Sequence, residues 1–343
     1  MTKIRNKNAN PKKVKTTPFI SKSDVTSLDT LAQLSKHKNK DCNCLKKSKL
    51  PNTLKTLQKR AKAKYISDPI TLKLVDISHS KSDKQPFWNT WHCARRLQQE
   101  DGKVTTKYCK NRWCIVCNRI RTAKYILGYE DELKKLKDPY FVTLTVKNIS
   151  AKKLHSEIDK MFLVFNKIRK SFIYQKHPLI GIRKLESTVS EKYRNHHPHF
   201  HLIIDGKENA LALVNEWLKL YEGTDIKGQD FKKADPNSIV ELFKYFTKMF
   251  TKGGVYTTDL KVIINALKGR RVIQGLGVKK KKESDEAIDE IKDLESQLYK
   301  ELDADEKVSW DWNGYDWINQ DTGEFLTGYI PDDKALTLEK LIF

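Results

Sequence analysis

The segment HHPHFHLII, residues 196–204, constrains the fold of this chain more than any other stretch. Because side chains alternate between the two faces of a β-strand, His199 and His201 project from the same face and present two nitrogen ligands about 6–7 Å apart. Two imidazoles in this arrangement can bind a metal ion, although a half-exposed strand whose histidines bind nothing has the same pattern. The opposite face is apolar and has to be buried; it consists of Phe200, Leu202 and Ile204.

The charge of the chain favours a polyanionic partner. The 343 residues include 66 Lys or Arg and 43 Asp or Glu, for a net charge of +23. Basic side chains neutralise phosphates without regard to sequence, so nucleic acid is the expected partner. Residues 1–85 hold 21 Lys or Arg against 6 Asp and no Glu. We expect a basic, flexible N-terminal arm, which either slides on phosphate backbones or serves only solubility.

The sequence gives no sign of a membrane or secreted protein. No apolar run approaches the roughly 18 residues of a transmembrane helix, and the first fifteen residues lack the apolar core of a signal peptide. We therefore expect a cytoplasmic protein without a membrane partner. In that compartment its six cysteines are better suited to metal binding than to disulfides.

Four cysteines within 25 residues predict a structural zinc site in a Cys-rich module, residues 86–121. Two of them have the C-x-x-C spacing that lets both sulfurs reach one tetrahedral Zn²⁺, and the other two can complete the site, with His92 as an alternative. Four unligated thiols in a small core are the competing interpretation. Neighbouring arginines favour zinc and a module that contacts the DNA backbone. The four residues are Cys93, Cys109, Cys114 and Cys117.

Periodicity in the following residues predicts an α+β domain. Its element order is β, α, β, β, α, short β, α, with helices packed on one face of an antiparallel sheet. Ser150 is a candidate cap for the helix after the first strand. The predicted elements are a helix at 122–136, a strand at 140–148, an amphipathic helix from 150, a hairpin of 179–190 with the histidine strand, a helix at 208–221, a short strand within 224–232 and a helix from about 237. The apolar face predicted for the 208–221 helix comprises Leu211, Val214, Leu218 and Tyr221.

The last helix, residues 237–250, carries a candidate nucleophile. At 100° per residue, Glu241, Tyr245 and Lys248 lie opposite the apolar face, and Glu241 is one turn before Tyr245. A phenol is a poor nucleophile at neutral pH, so Tyr245 requires a metal ion, a base or a cation such as Lys248. Glu241 can equally be an ordinary surface carboxylate. The apolar face comprises Ile239, Leu242, Phe243, Phe246 and Phe250.

Glu186 is a candidate third metal ligand. It precedes His199 by thirteen residues, where the paired strand can bring a carboxylate beside both imidazoles. Two nitrogens and one carboxylate leave open positions, as a catalytic Mg²⁺ or Mn²⁺ requires. From the residues alone, a surface carboxylate paired with Lys or Arg is the favoured interpretation.

Three segments in order, FVTLTVKN, HPHFHLII and ELFKYFTK, resemble the motifs of rolling-circle replication initiators of small bacterial plasmids, which belong to the HUH endonuclease superfamily. The cysteine cluster resembles the cysteine-rich region of the same proteins, and the resemblance covers about residues 88–275. It implies that His199, His201 and Glu186 hold the catalytic ion. It also implies that Tyr245 attacks the scissile phosphate, leaving a 5′-phosphotyrosine and a free 3′-hydroxyl primer.

The resemblance also implies further roles and partners. Glu241 would activate water when replication terminates, and the DNA would be the plasmid origin, either single-stranded or as an extruded hairpin. A host helicase and polymerase are the expected protein partners, and a homodimer is a possible active unit. An HUH relaxase, a single-tyrosine transposase and a non-catalytic zinc-containing DNA-binding regulator are the alternatives.

These inferences divide the chain into four parts. The arm, residues 1–85, precedes the Cys-rich module, and residues 122–275 form the HUH endonuclease domain. Residues 276–343 are expected to be a helical and aromatic extension. We expect an amphipathic helix with Ile288, Ile291, Leu294 and Leu298 on one side, followed by a packed clasp that contains Trp310, Trp312, Tyr315 and Trp317.

Overall fold

The computed structural model describes residues 49–100, 103–190, 192–243, 255–281, 308–331 and 341–342. The helices are α1 (Lys49–Asp76), α2 (Lys81–Trp91), α3 (Ile115–Lys134), α4 (Leu154–Tyr174), α5 (Lys207–Leu220), α6 (Pro236–Phe243) and α7 (Thr257–Leu267). The strands are β1 (Arg96–Glu100), β2 (Lys103–Thr106), β3 (Pro139–Thr145), β4 (Gly181–Val189), β5 (His196–Asp205), β6 (Asp230–Lys233), β7 (Val255–Tyr256), β8 (Ile273–Leu276), β9 (Val308–Trp312), β10 (Trp317–Asn319) and β11 (Leu341–Ile342).

The main sheet contains five strands in the order β6-β3-β5-β4-β8. Every neighbouring pair is antiparallel. The predicted hairpin is present, with β4 and β5 paired along their whole length. The predicted α+β class and the order of elements from β3 to α6 are therefore confirmed.

Helices α4 and α5 cover one face of this sheet. The residues that repeat along α4 at helical spacing are fully buried, as expected for an amphipathic helix on a sheet. Burying one such side chain stabilises the fold by about 1.5–3 kcal/mol. They pack against the apolar residues of β3 and β5 in one core that contains Leu154, Ile158, Met161, Phe165, Ile168, Val142, Leu144, Phe200 and Leu202.

Three local predictions were wrong. Ser150 makes no side-chain capping bond, because a short 3₁₀ turn separates it from α4. Of the face predicted for α5, Val214 and Tyr221 are buried but Leu211 is 46% exposed; Leu213 and Trp217 are buried as well. Helix α3 begins seven residues earlier than expected, because the Cys114 sulfur accepts a hydrogen bond from the backbone of its first turn.

A second core joins segments from distant parts of the sequence. Strands β1 and β2 continue into a four-stranded sheet of order β10-β9-β1-β2. The tryptophans expected in a packed clasp, Trp310, Trp312 and Trp317, are buried there against α1, α2 and the cysteine module. Helix α7 lies between the two cores, with Leu260 in this core and Ile263 in the main one.

The division into four domains stays a prediction, but α1 and α2 lie within the segment expected to be the arm. In α1, Leu57, Ala61 and Leu74 are buried. Residues 1–48 and the helix expected near Ile288 lie outside the described residues. None of the helices described here combines the length and hydrophobicity needed to cross a bilayer.

Candidate active site

Three adjacent strands bring the candidate ligands onto one face of the main sheet. In the register of β4 and β5, Glu186 pairs with His199 and Lys184 pairs with His201. In the register of β3 and β5, Thr143 pairs with His201. Because paired residues point to the same face, all five side chains converge opposite the face covered by α4 and α5.

The ligand atoms of Glu186, His199 and His201 form a compact cluster. They lie within 4.8 Å of one another. The Nε2 atoms of the two histidines are 3.1 Å apart, closer than the roughly 6–7 Å expected, because the two rings lean toward each other with their centres 4.6 Å apart. His201 Nε2 is 3.6 Å from Glu186 Oε2. Two imidazoles and one carboxylate converging in this way can hold a divalent cation.

The outer nitrogen of each imidazole has its own partner. His199 Nδ1 is 2.9 Å from the carbonyl oxygen of His197, which can only accept, so Nδ1 carries a proton and Nε2 is the nitrogen that faces the cluster. His201 Nδ1 is 3.1 Å from Thr143 Oγ1. Burial, and then the charge of His199, lower the pKa of His201 to about 3, which keeps this imidazole neutral. The pair is thus oriented and available as ligands.

Lys184 links the cluster to helix α6. Its ammonium is fully buried, donates to Glu186 Oε2 at 2.9 Å and lies 3.5 Å from the carbonyl oxygen of Glu241. Burial by itself would raise the pKa of the Glu186 carboxyl, but Lys184 and then His199 lower it below its ordinary value. Glu186 is therefore an ionised carboxylate, as a metal ligand must be.

Helix α6 starts beside this face of the sheet. Asp235 precedes it and accepts from Ser238 N at 2.7 Å, while Ser238 Oγ accepts from Asp235 N at 3.1 Å, so the helix begins at Pro236. Leu242 and Phe243 are buried, as the predicted apolar face requires. The Glu241 carboxylate is close enough to act on the pKa of His201. Tyr245, Lys248, Phe246 and Phe250 lie outside the described residues.

The four predicted cysteines also converge. Their sulfurs lie within 4.8 Å of one another, and Cys117 Sγ is 3.4 Å from Cys93 Sγ and 3.6 Å from Cys109 Sγ. These separations are far longer than a disulfide bond, and all four are free. Backbone amides donate to Cys93 and Cys114 sulfurs. The donor set fits a tetrahedral structural metal site. His92, the alternative ligand, is outside this cluster.

Sequence reasoning found the metal-binding candidates but missed two supporting residues. Thr143 and Lys184 are on the same strand face as the histidines, and only the register of the three strands reveals it. Lys184 did have one signal, because it is two residues before Glu186 and must share its face. The roles proposed for Glu241, Tyr245 and Lys248 stay predictions.

Fold and site together define an α+β domain whose antiparallel sheet carries a cluster of potential metal ligands, joined to a four-cysteine module. Comparison with known proteins gives the family. The model of the Rep_1 family, described as replication protein, matches residues 102–321. The chain belongs to this family, which confirms the resemblance found in the sequence at the level of the family. The match includes Glu186, His199, His201 and Glu241 and begins after Cys93.

Curated relatives carry the name Protein rep. One from Streptococcus pneumoniae serotype 2 is 27% identical over 168 residues, covering 44% of this chain and 52% of the relative. One from Staphylococcus aureus is 28% identical over 158 residues, covering 41% of this chain and 69% of the relative. One from Lactiplantibacillus plantarum is 27% identical over 265 residues, covering 64% of this chain and 82% of the relative. The chain spans about half the length of the streptococcal relative. No solved structure matches the chain.

Proposed function

We propose that this protein initiates rolling-circle replication of a plasmid by nicking one strand at the origin. The products would be a 5′-phosphotyrosine on Tyr245 and a free 3′-hydroxyl that primes synthesis. The same centre would rejoin the strand at termination. Membership of the replication protein family supports the general role. The nicking chemistry rests on the residues of the site.

The observation that carries the proposal is the convergence of Glu186, His199 and His201 on the face where α6 begins. Their nitrogen and oxygen donors suit Mg²⁺ or Mn²⁺ and leave positions open for a phosphate oxygen. When bound there, such an ion would polarise the scissile phosphate and stabilise its developing charge. The cysteine cluster, with its four sulfurs, suits Zn²⁺ in a structural role.

The chain's own residues contribute orientation. His197 and Thr143 fix the two imidazole rings through their outer nitrogens. Lys184 holds the Glu186 carboxylate in its ionised form. Ligands fixed in this way lose little freedom when substrate binds, which favours catalysis by preorganisation.

The covalent step is assigned to Tyr245, four residues after Glu241 in the sequence. Its phenol oxygen would attack the phosphorus as the bond to the 3′-oxygen breaks, and the phenol proton would pass to a base while the 3′-oxygen gains one. Lys248 would stabilise the phenolate. In a later step Glu241 would accept a proton from water that hydrolyses the phosphotyrosine. The substrate would be single-stranded or hairpin origin DNA, with host helicase and polymerase acting afterwards.

Two variants of the α6 segment separate these steps. Tyr245→Phe removes only the nucleophilic oxygen, so DNA binding should persist while the covalent adduct disappears. Glu241→Ala should still nick and form the adduct but fail to release it by hydrolysis. The measurement is a denaturing gel of adduct on single-stranded origin oligonucleotides over time.

Tyr193→Phe is the matched control, because Tyr193 is 63% exposed and lies between β4 and β5. It should behave as the wild type. Adduct formed by Tyr245→Phe would move the nucleophile elsewhere, and normal hydrolytic turnover by Glu241→Ala would remove the role given to that residue.

A further inference from the structure

An arginine is buried on the face of the main sheet opposite the candidate metal ligands. Arg183 on β4 is 1% exposed. Its guanidinium carbon lies 4.5 Å from the ring centre of Phe162, 5.1 Å from that of Phe165 and 4.8 Å from that of Phe200. The cation therefore stacks among aromatic rings between β4 and α4, where water cannot solvate it.

The hydrogen bonds of Arg183 are incomplete. Nη2 donates to the carbonyl oxygen of Arg271 at 3.2 Å. Nε and Nη1 are buried and have no hydrogen-bond partner among the described residues. A guanidinium carries five N–H donors, and buried charged donors without acceptors are strongly unfavourable. Arg183 thus has buried N–H donors that lack hydrogen-bond acceptors.

The charged neighbours of Arg183 make its buried positive charge still less favourable. Burial, and then the positive charges of Arg169 and Arg271, lower the pKa of Arg183 to about 9, and no carboxylate is among the groups that act on it. Arg169 follows Phe165 by one helical turn, and its own Nε is also buried, with no hydrogen-bond partner in the part of the chain that the structure describes. Asp159, an acidic residue on the same helix, pairs with Arg270 at 2.6 Å.

The three arginines differ in their exposure to solvent. Arg271 is exposed, Arg169 is half-buried and Arg183 is buried. They are contributed by the segment before β8, by α4 and by β4, and β8 is an edge strand of the main sheet.

We infer that Arg169, Arg183 and Arg271 form a phosphate-binding site, distinct from the phosphate position of the proposed nicking reaction on the other face. A phosphate group offers several acceptor oxygens in different directions, which suits guanidinium donors from three elements better than one planar carboxylate does. The phosphate belongs either to the DNA backbone or to free inorganic phosphate. Without such an anion, Arg183 would be only a core cation bonded to the Arg271 carbonyl.

The first test is thermal unfolding of the full chain, with no Mg²⁺ or Mn²⁺ added, in inorganic phosphate and in chloride of equal ionic strength. Phosphate should raise the Tm of the wild type above the chloride value, because a ligand that binds the folded state stabilises it. Arg271→Gln and Arg169→Gln should lose this rise. Lys268→Gln, which removes one exposed positive charge from the same segment, should keep it.

Arg183→Met tests the buried member of the site. Methionine fills a similar volume among the phenylalanines and removes the unmet donors, so the variant should unfold with the same Tm in phosphate and in chloride. A variant that still gains stability from phosphate would overturn the inference.

Fluorescence anisotropy on a single-stranded oligonucleotide distinguishes the two sources of phosphate. If the DNA backbone occupies the site, Arg271→Gln should bind more weakly than Lys268→Gln, and the slope of log K against log salt should fall by about 0.7. If affinity is equal in both variants but the phosphate-dependent Tm rise is lost, the ligand is free phosphate.

The inference is overturned if the wild type shows no phosphate-dependent rise in Tm and the arginine variants bind DNA as Lys268→Gln does. Both measurements are made without added Mg²⁺ or Mn²⁺, so loss of nicking activity cannot produce or hide either result.

Discussion

Lys184 determines how Glu186 responds to acid. The pKa of the Glu186 carboxyl is lower in the folded protein than its ordinary value of 4.5. The unfolded chain therefore binds the proton of this carboxyl more tightly than the folded chain does. The stabilisation from this group is complete above about pH 4.5 and is lost as the pH falls through the lower folded pKa. Other carboxylates contribute to acid unfolding as well, so a variant is needed to isolate this one.

Glu186→Gln should therefore be less stable than the wild type near neutral pH, and the difference should shrink as the pH falls below 4.5. Urea unfolding at a series of pH values measures this. Glu208→Gln, an exposed change on α5, should keep the stability and pH dependence of the wild type. A pH-independent difference for Glu186→Gln would show that the carboxylate charge is not what stabilises the site.

Thr143, beside the cluster, and His201, a member of it, allow a graded test of metal binding. Thr143→Val removes the partner of His201 Nδ1 and should reduce Mn²⁺ affinity about 10–100-fold. His201→Ala removes the ligand itself and should reduce it further, abolishing cleavage while the fold is kept. Titration calorimetry and oligonucleotide cleavage measure both effects. His177→Ala, at an exposed position, is the control. Undiminished cleavage by His201→Ala in EDTA would refute the metal assignment.

At the level of elements, the sequence predicted those whose stabilising contacts are local or periodic. The hairpin of β4 and β5 and the buried stripe of α4 follow from alternation and helical spacing. The start of α3 was missed because a cysteine sulfur caps it, which propensity does not anticipate. Leu211 was misplaced because the buried stripe of α5 includes Val214 but is centred on Leu213 and Trp217, which leaves Leu211 toward solvent.

The site was predictable to a similar degree. His199, His201 and Glu186 were found because strand alternation and pairing place them together. Lys184 and Thr143 depend on which strands become neighbours, and β3 lies some fifty residues from β5 in the chain. Such contacts require the sheet order, which local patterns do not contain.

The cysteine module depends on its four sulfurs, since its strands β1 and β2 are only five and four residues long. Cys114→Ser should lose about one zinc ion per chain and lower the Tm of the protein, because metal binding and folding are coupled. Elemental analysis and calorimetry measure the two effects. Cys42→Ser, at a cysteine far from this cluster in sequence, should change neither. Freshly purified wild type without zinc would contradict the assignment.

At the scale of the whole molecule, the two cores are tied together by polar contacts as well as by α7. Arg112, between two of the clustered cysteines, donates to the carbonyl oxygens of Leu267 at 3.2 Å and Arg270 at 2.7 Å. Lys261 on α7 donates to Asp83 at 2.6 Å and to the carbonyl oxygen of Ile77 at 3.0 Å. The cysteine module is therefore held in a fixed position against the domain that carries the candidate active site.

Trp317 tests how far stability depends on the second core. Its side chain is fully buried, and Nε1 donates to the carbonyl oxygen of Ala94 at 2.9 Å, beside Cys93. Trp317→Ala should destabilise the fold by about 3–5 kcal/mol. Trp88→Ala, at a position 37% exposed, should have a much smaller effect. Chemical denaturation compares the two. Equal small effects would mean that the second core contributes little to global stability.

The position of β9 beside β1 has a consequence for protein synthesis. Arg96 and Asp311 form a hydrogen-bonded ion pair although they are 215 residues apart in the sequence. While the ribosome is making the residues between them, β1 has β2 on one side and an open edge on the other. An open strand edge is a template for wrong pairing, and long-range pairing is slow. A nascent chain of this protein thus exposes an unfinished sheet through most of its translation, and a stalled ribosome would present that edge to chaperones and to other chains.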